Sequence, residues 1–466
     1  MMIAVRPIKW ILLVFIFGLL SVTAAAKPKK LNIVVIGAGA SGLASAKNAI
    51  DEGHNVTVYE QGETLGGIWF YTDATGKDQY GKDIYTPMYQ GLRTNVPFHP
   101  MEFPDFPFPP DTPSYPTQQM IFEYLQSYAR HFNVLDRIKF HHRVQKVELL
   151  PSPGLKADKW QVTARNYPDG KDEVGKFDSV FVCSSVYNSP RYPKIEGIDL
   201  FQGKKMHSHD YRNPEPFKGK SCLIIGGGSS GSDIVIFISK TAARVTFSQN
   251  PRTNESDELR KTRESVYGPR VTHKGNVERI TTDGAIFKDK SQQTFDVIIF
   301  ATGYGYEYPF LGSDSGIKVE DNYVSPLYKQ VLNIEHPTMA FIGVPVDAAH
   351  NQMYDLQARF ALKFISGKKK MPTKKAMEKD LEKQMKELQK KGVPKHKTHH
   401  LGLEYKNYFD DLASTAGIAN VPKVYADILK DGLVQKSEDP AEFRSNVYAV
   451  DKKRNKFSRQ KVKSKL

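Results

Sequence analysis

Two short glycine-rich runs carry the most chemical information in the chain: Gly37-Ala38-Gly39-Ala40-Ser41-Gly42 and Gly226-Gly227-Gly228-Ser229-Ser230-Gly231. In a G-x-G-x-x-G run the first glycine permits a tight turn, the second lets the backbone approach a pyrophosphate, and the third lets the next helix pack on the preceding strand. The first N–H groups of that helix then face the phosphates. One such run is weak evidence, because glycine-rich turns also close ordinary loops. Here each run has a strand before it and a helix after it. LNIVVI (31–36) precedes the first and a helical pattern over 43–52 follows; SCLII (221–225) precedes the second and a helix from Asp233 follows. Further strands are expected at 55–59 and 244–247, which completes two dinucleotide-binding βαβ units. Gly37, Gly39, Ala40, Ser41 and Gly42 are the candidate ligand contacts of the first, and Gly226, Gly228, Ser229, Ser230 and Gly231 those of the second.

The residue ending the second strand of each unit discriminates between nucleotides. Glu60, 23 residues beyond Gly37, suits hydrogen bonding to an unphosphorylated adenosine ribose, as in FAD or NAD. The equivalent stretch of the second unit, Ser248-Gln249-Asn250-Pro251-Arg252, has no acid to repel a 2′-phosphate. Ser248 and Arg252 could bind one, so NADPH is preferred there over NADH. A chain with both sites is a flavoprotein that moves hydride from NADPH to FAD. Two cysteines, Cys183 and Cys222, lie 39 residues apart and read as small buried hydrophobes. They exclude disulfide scaffolds, zinc ribbons and the redox-active pair of disulfide reductases. A reductase with another acceptor and a monooxygenase using O2 both remain.

The elements that must position these residues fit an α/β chain of 466 residues built from two Rossmann-like dinucleotide-binding domains. An FAD domain is expected over 27–205 and 316–450, with an NADPH domain over 206–315 inserted between its parts. Residues 75–120, rich in Pro, Tyr and Phe, read as a long ordered excursion, 121–132 as a helix, and 138–183 as an antiparallel meander. An amphipathic helix is expected at 373–391, with Met377, Leu381, Met385 and Leu388 on its apolar face.

Net charge is +15, and it sits in two places. Residues 368–397 hold twelve Lys against four acids, and the basic C-terminal tail 451–466 holds eight Lys and Arg against one. With no aromatic-interleaved basic module beside them, these read as a solvated helix face and a loose end, not as a nucleic-acid surface. Residues 1–26 have the layout of a secretory signal peptide: Arg6 and Lys9, an apolar run over 10–20, and Ala24-Ala25-Ala26. Cleavage near Ala26 would leave a chain with no permanent membrane span, secreted or in the secretory-pathway lumen. Ser464-Lys465-Leu466 spells a peroxisomal address, the less favoured alternative, and Asn254-Glu255-Ser256 a glycosylation site in a polar loop.

Phe201-Gln202-Gly203-Lys204-Lys205-Met206-His207-Ser208-His209-Asp210-Tyr211 fits the fingerprint FxGxxxHxxx(F/Y), just before the second glycine run. Leu65-Gly66-Gly67-Ile68-Trp69, Leu92-Arg93-Thr94-Asn95-Val96-Pro97, Phe300-Ala301-Thr302-Gly303-Tyr304 with Pro309-Phe310-Leu311, and Gln357-Ala358-Arg359 accompany it. Over nearly all of the chain after residue 26 the sequence resembles the flavin-containing monooxygenase family, and most closely its soluble insect branch, some of whose members N-oxygenate plant pyrrolizidine alkaloids. The resemblance implies that NADPH reduces FAD and that O2 then forms a C4a-hydroperoxyflavin, whose distal oxygen is attacked by an amine or thioether. Nothing in the sequence suggests a catalytic triad, and that chemistry requires none. The resemblance also implies that Asn95 is the active-site amide, although by itself it reads equally as a turn residue before Pro97, and that Gly67 and Trp69 contact the cofactor. Gln357 either reaches the flavin or packs on a helix surface, and His207 reads as a linker between domains. The chain departs from the family at Gln249 and Asn250, where many members carry an Arg. Expected partners are a small-molecule amine or thioether and O2, without nucleic acid; a homodimer is allowed. Other readings on the same fold are an NADPH oxidase, a Baeyer–Villiger monooxygenase and a non-catalytic secreted ligand carrier.

Overall fold

The computed structural model describes residues 30–151, 158–250, 256–440 and 442–462. Residues 1–26, expected to be a signal peptide, Arg252, Asn254 and the terminal Ser464-Lys465-Leu466 lie outside these. The first glycine run joins the strand Asn32–Ile36 to the helix Ala40–Asp51, and the strand Asn55–Tyr59 lies parallel to the first. Strand Asn32–Ile36 is apolar on both faces because helices and loops cover the sheet on both sides, as a central parallel strand requires. The sheet has seven strands, and its parallel core runs Met339–Phe341, Ser179–Val182, Asn32–Ile36, Asn55–Tyr59, Ile138–Lys139. One of these, Met339–Phe341, comes from the C-terminal part of the chain, so the first unit is assembled from both ends.

The second glycine run joins the strand Ser221–Ile225 to the helix Ser229–Ile238 in a separate five-stranded parallel sheet. Its order is Val271–Lys274, Arg244–Ser248, Ser221–Ile225, Val297–Phe300, Lys204–His207. Lys204 and Lys205, assigned by sequence to the first unit, open the edge strand of this second sheet. The layout is the expected α/β chain with two Rossmann-like units, the second emerging between strands of the first.

Two sequence expectations change. The 138–183 meander is antiparallel only over His142–Leu150, Lys159–Asn166 and Lys171–Phe177, while its ends, Ile138–Lys139 and Ser179–Val182, pair parallel in the main sheet. The fully buried Ser179–Val182 follows from this, since alternation is lost where both faces are covered. The basic tail is not a loose end over its described part. Asn446–Asp451 and Lys456–Lys461 form an antiparallel hairpin, turned by Asp451, whose carboxylate accepts from the Arg454 N–H at 3.0 Å. Tyr448 is buried beneath it with its ring tilted against that of Phe457, while Arg459 and Lys461 pair with Asp431 and Asp439 on or just after the helix Lys423–Glu438. The other amphipathic helix forms over Lys374–Lys390, capped by the Thr373 hydroxyl, with Met377 buried and Leu381, Met385 and Leu388 half-buried. Among the described residues no helix is long and apolar enough to cross a membrane.

Candidate active site

A cavity of about 1070 Å³ runs along both glycine turns. From the first unit it is lined by Gly37, Gly39, Ala40, Ser41, Glu60, Gly67, Trp69 and Asn95, and from the second by Ser229 and Ser230. These ten positions, spread over nearly 200 residues of sequence, are brought together by the fold. Gly42, Gly226 and Gly231 act behind the wall, and Gly228 is exposed at the start of its helix. Gly37 and Gly226 turn the chain at φ +102° and +118°, a region side chains disfavour, and Gly42 and Gly231 let each helix sit against its own turn.

Both helices start at a glycine cap with no side chain occupying the first N–H groups, Gly39 and Gly228, and the residues that follow face the cavity. Such ends attract phosphates. At Gly228 a Cβ would stand in open space, so the backbone there is bare toward a ligand.

Glu60 is buried at the end of its strand. Its Oε2 accepts from the Ala38 N–H at 2.7 Å and its Oε1 from the Gly62 N–H at 2.8 Å. Burial pushes its carboxyl above the usual carboxylate range, against these two N–H groups and nearby Lys82, which favour the ionised form. The Gln61 N–H also favours the ionised form, and a carboxylate, with about four acceptor sites, still has capacity left for a ribose hydroxyl. Beside it the buried Tyr85 hydroxyl, also on the cavity wall, has no partner among the described residues. An orphaned hydroxyl next to a partly used carboxylate fits an adenosine ribose. Trp69 is fixed through its carbonyl, which accepts from the Gln118 amide.

Asn95 precedes Pro97 in the segment over which the C-terminal helix Lys423–Glu438 passes; Gly432 of that helix is so close that a Cβ would meet the Pro97 ring at 2.7 Å. The Asn95 Oδ1 accepts from Arg444 at 2.8 Å. Its amide NH2 makes no protein hydrogen bond among the described residues.

Besides Gly42, Gly226, Gly228 and Gly231, two further expected contacts are not in the cavity wall. Gln357 is fully buried in the helix His350–Ile365; its Oε1 accepts from the Gly343 N–H at 2.9 Å and its Nε2 donates to the Tyr408 hydroxyl at 2.8 Å. It braces the Gly343 turn, which does line the cavity, from behind. Ser248 is buried at the end of its strand and donates its hydroxyl to the Gly275 carbonyl at 2.8 Å. His207 is buried in the edge strand of the second sheet, its Nδ1 accepting from the His209 N–H at 3.0 Å, and burial lowers its pKa to about 4. A neutral, inward histidine at the junction fits the linker role. The two thiols are free and buried, and burial pushes both up to about 12, which leaves them inert. Among the described residues no group of three or more His, Cys, Asp or Glu could hold a metal ion.

Sequence reasoning missed Arg444 and Lys436. Lys436, on the helix Lys423–Glu438, lines the cavity and donates to the Ser229 hydroxyl at 2.6 Å, at the start of the second nucleotide helix. Neither lies in a motif, and each sits more than 200 residues from its partner in the second unit, so no spacing signals them.

A family described as flavin-binding monooxygenase-like matches residues 29–254 and 256–436. The chain is 32% identical to senecionine N-oxygenase of Tyria jacobaeae over 90% of each protein. It superposes on the structure of S-allyl-L-cysteine S-oxygenase from Allium sativum with a TM-score of 0.80 at 30% identity, covering 92% of this chain and 97% of that one. On Tmm from Pelagibacter sp. strain HTCC7211 the TM-score is 0.77 at 26% identity, covering 89% and 93%. The two-turn cavity, the partly used Glu60 and the bare helix ends are thus those of a flavoenzyme, and the chain belongs to the flavin-binding monooxygenase-like family, NADPH-dependent oxidoreductases that hold FAD and NADPH.

Proposed function

We propose that the protein uses NADPH and O2 to N- or S-oxygenate small molecules bearing a soft nucleophilic heteroatom, a tertiary amine or a thioether. The observation that carries this reading is the single cavity lined at once by the first glycine turn, the start of the second nucleotide helix and Asn95. Bound FAD, reduced by NADPH, supplies the activated oxygen. The chain's task is to seat both nucleotides and keep water from the reacting atoms. Glu60 and the bare N–H groups after Gly39 hold FAD, and those after Gly228 hold NADPH. Asn95 presents its amide NH2 to the bound ligands. Leu403, Leu429 and Leu433 supply apolar wall. The likeness to senecionine N-oxygenase supports plant pyrrolizidine alkaloids as substrates, and that to S-allyl-L-cysteine S-oxygenase keeps thioethers in view.

The test is mass spectrometry of products from the purified protein with NADPH and either a pyrrolizidine alkaloid or S-allyl-L-cysteine. An N-oxide or a sulfoxide is expected. Ester from a ketone with neither of these would make it a Baeyer–Villiger enzyme, and a preparation without flavin would make it a carrier.

Lys436 gives the reading a pH dependence. Burial lowers its ammonium to about 8, outweighing Asp233 and Asp347, which raise it; Arg444 lowers it further. The cation is therefore present below about pH 8 and lost above. With the ammonium against the NADPH pyrophosphate, NADPH affinity is full below about pH 8 and falls as pH rises above it, since the anion favours the protonated lysine. Lys436→Arg, charged throughout, is expected to flatten that profile in a titration of Kd against pH. An unchanged profile would remove Lys436 from the NADPH site.

Residues 1–26 are read as directing the chain into the secretory pathway. N-terminal sequencing of the protein from expressing insect cells is expected to begin near Lys27; a retained Met1 would overturn this.

A further inference from the structure

Neither glycine motif accounts for Arg444. It lies in the short turn Phe443–Ser445 that links the C-terminal helix to the hairpin, and it reaches into both units. Its fork grips Asp233 of the second nucleotide helix, Nη1 to Oδ1 at 3.2 Å and Nη2 to Oδ2 at 3.0 Å. Nη2 also donates to the Asn95 Oδ1 at 2.8 Å and the Arg93 carbonyl at 3.3 Å, and Nε to the Thr94 carbonyl at 3.1 Å. Asp233 is held in turn by the Tyr89 hydroxyl at 3.0 Å, and the guanidinium lies 4.7 Å from the centre of the Phe443 ring.

A guanidinium has donors and no acceptor. The atom that Asn95 turns toward it must be the amide oxygen, because a flipped amide would set NH2 against N–H. With the oxygen so fixed, the NH2 points away from Arg444, on a residue that lines the cavity. Three consecutive residues, Arg93, Thr94 and Asn95, are tied to one side chain that is itself clamped to the second unit.

We propose that Arg444 is the positioning residue for Asn95: it sets the amide with its NH2 toward the cavity and, through Asp233, ties that orientation to the docking of the NADPH unit. The proposal rests on the reading of Asn95 given above. Lysine is no substitute, because an ammonium is a compact point charge without the planar fork that spans a carboxylate and an amide together.

The experiment compares Arg444→Ala, Arg444→Lys, Asn95→Ala and the double variant Arg444→Ala/Asn95→Ala, each purified with its FAD. The readouts are oxygenated product per NADPH consumed, kcat and KM separately, thermal midpoint, and the change in flavin absorbance on adding NADP+ without turnover. Arg444→Ala is expected to lower product per NADPH about tenfold, the scale of a lost charged hydrogen bond. Hydrogen peroxide makes up the difference, and KM for the amine stays within about twofold because the loss falls on the reacting geometry and not on substrate binding. Asn95→Ala behaves alike, and the double variant is no worse than the poorer single one, as for two groups acting through one contact. In Arg444→Lys the thermal midpoint recovers, while product per NADPH and the NADP+ spectral change do not. A purely structural Arg444 would give recovery of all three. Independent, multiplying effects in the double variant, or full coupling in Arg444→Lys, would overturn the proposal while Asn95→Ala still uncouples. Full coupling in Asn95→Ala would overturn the reading of Asn95, and the proposal with it. If Arg444→Ala does not fold, Arg444→Lys and Asn95→Ala decide the matter.

Discussion

Gly231→Ala is expected to leave the protein yellow with bound FAD while weakening NADPH binding by about 10- to 100-fold, the span of roughly 1–3 kcal/mol for an overpacked site. A Cβ at residue 231 would stand 2.0 Å from the carbonyl oxygen of Gly226 and 3.3 Å from the Ala301 Cβ. The near obstacle is backbone, and it cannot retreat, because Gly226 itself is pressed against the Ala301 carbonyl, 2.2 Å from where its own Cβ would be. The helix Ser229–Ile238 must therefore lift from the strand Ser221–Ile225, which carries Ser229, Ser230 and their N–H groups out of line with the cavity. The first turn, proposed above to hold FAD, belongs to another sheet and is expected to keep its site. An anaerobic NADPH titration with a flavin count per chain checks both halves. NADPH affinity unchanged in a folded variant would show that the second turn does not hold the dinucleotide.

Gly42→Val is expected to do the opposite and yield a protein purified without flavin. Here the Cβ would meet the Gly37 carbonyl oxygen at 1.9 Å and the Val35 Cγ1 at 3.4 Å. The helix Ala40–Asp51 cannot slide along its axis to escape, because Asn48 on its far side donates to Asp355 of the helix His350–Ile365 at 2.9 Å. The turn that carries Gly37 and Gly39 must deform, and with it the approach to the pyrophosphate. Folding is expected to survive with a lowered thermal midpoint, since the parallel sheet beneath is shared with strands from the far end of the chain. Measured FAD per chain falls from near one toward zero. Full retention of FAD would move the flavin away from the first turn.

The pair of variants shows what the sequence made legible. Gly42 and Gly231 each act on the backbone of the glycine that opens their own turn, a contact set by local spacing, so both turns could be read from the sequence. Glu60 could be read for the same reason, being fixed by the length of one βαβ unit. Asn95 needed the family motif, because a turn residue before Pro97 has no periodicity to distinguish it. Gln357 and Ser248 could not be placed from sequence, because a polar side chain serves a ligand or a buried backbone group equally well: one spends its amide on Gly343 and Tyr408, and the other donates its hydroxyl to Gly275. The hairpin at 446–461 was hidden by its lysines, although the alternation of Asn446 and Tyr448 inward with Val447 and Ala449 outward is the period-two pattern of a strand. Arg444 and Lys436 were out of reach in principle, since their meaning comes from partners on the other unit, brought to them only by the fold.

In the proposed function both nucleotide sites serve one oxygen transfer in a shared cavity. The most direct measurement supplies the purified protein with NADPH, 18O2 and a tertiary amine, and follows NADPH consumed, label in the product and hydrogen peroxide released. The account predicts one atom of 18O in each N-oxide formed, with product matching NADPH oxidised and little peroxide. NADPH oxidation that yields peroxide alone, with no labelled product from any amine or thioether, would contradict it.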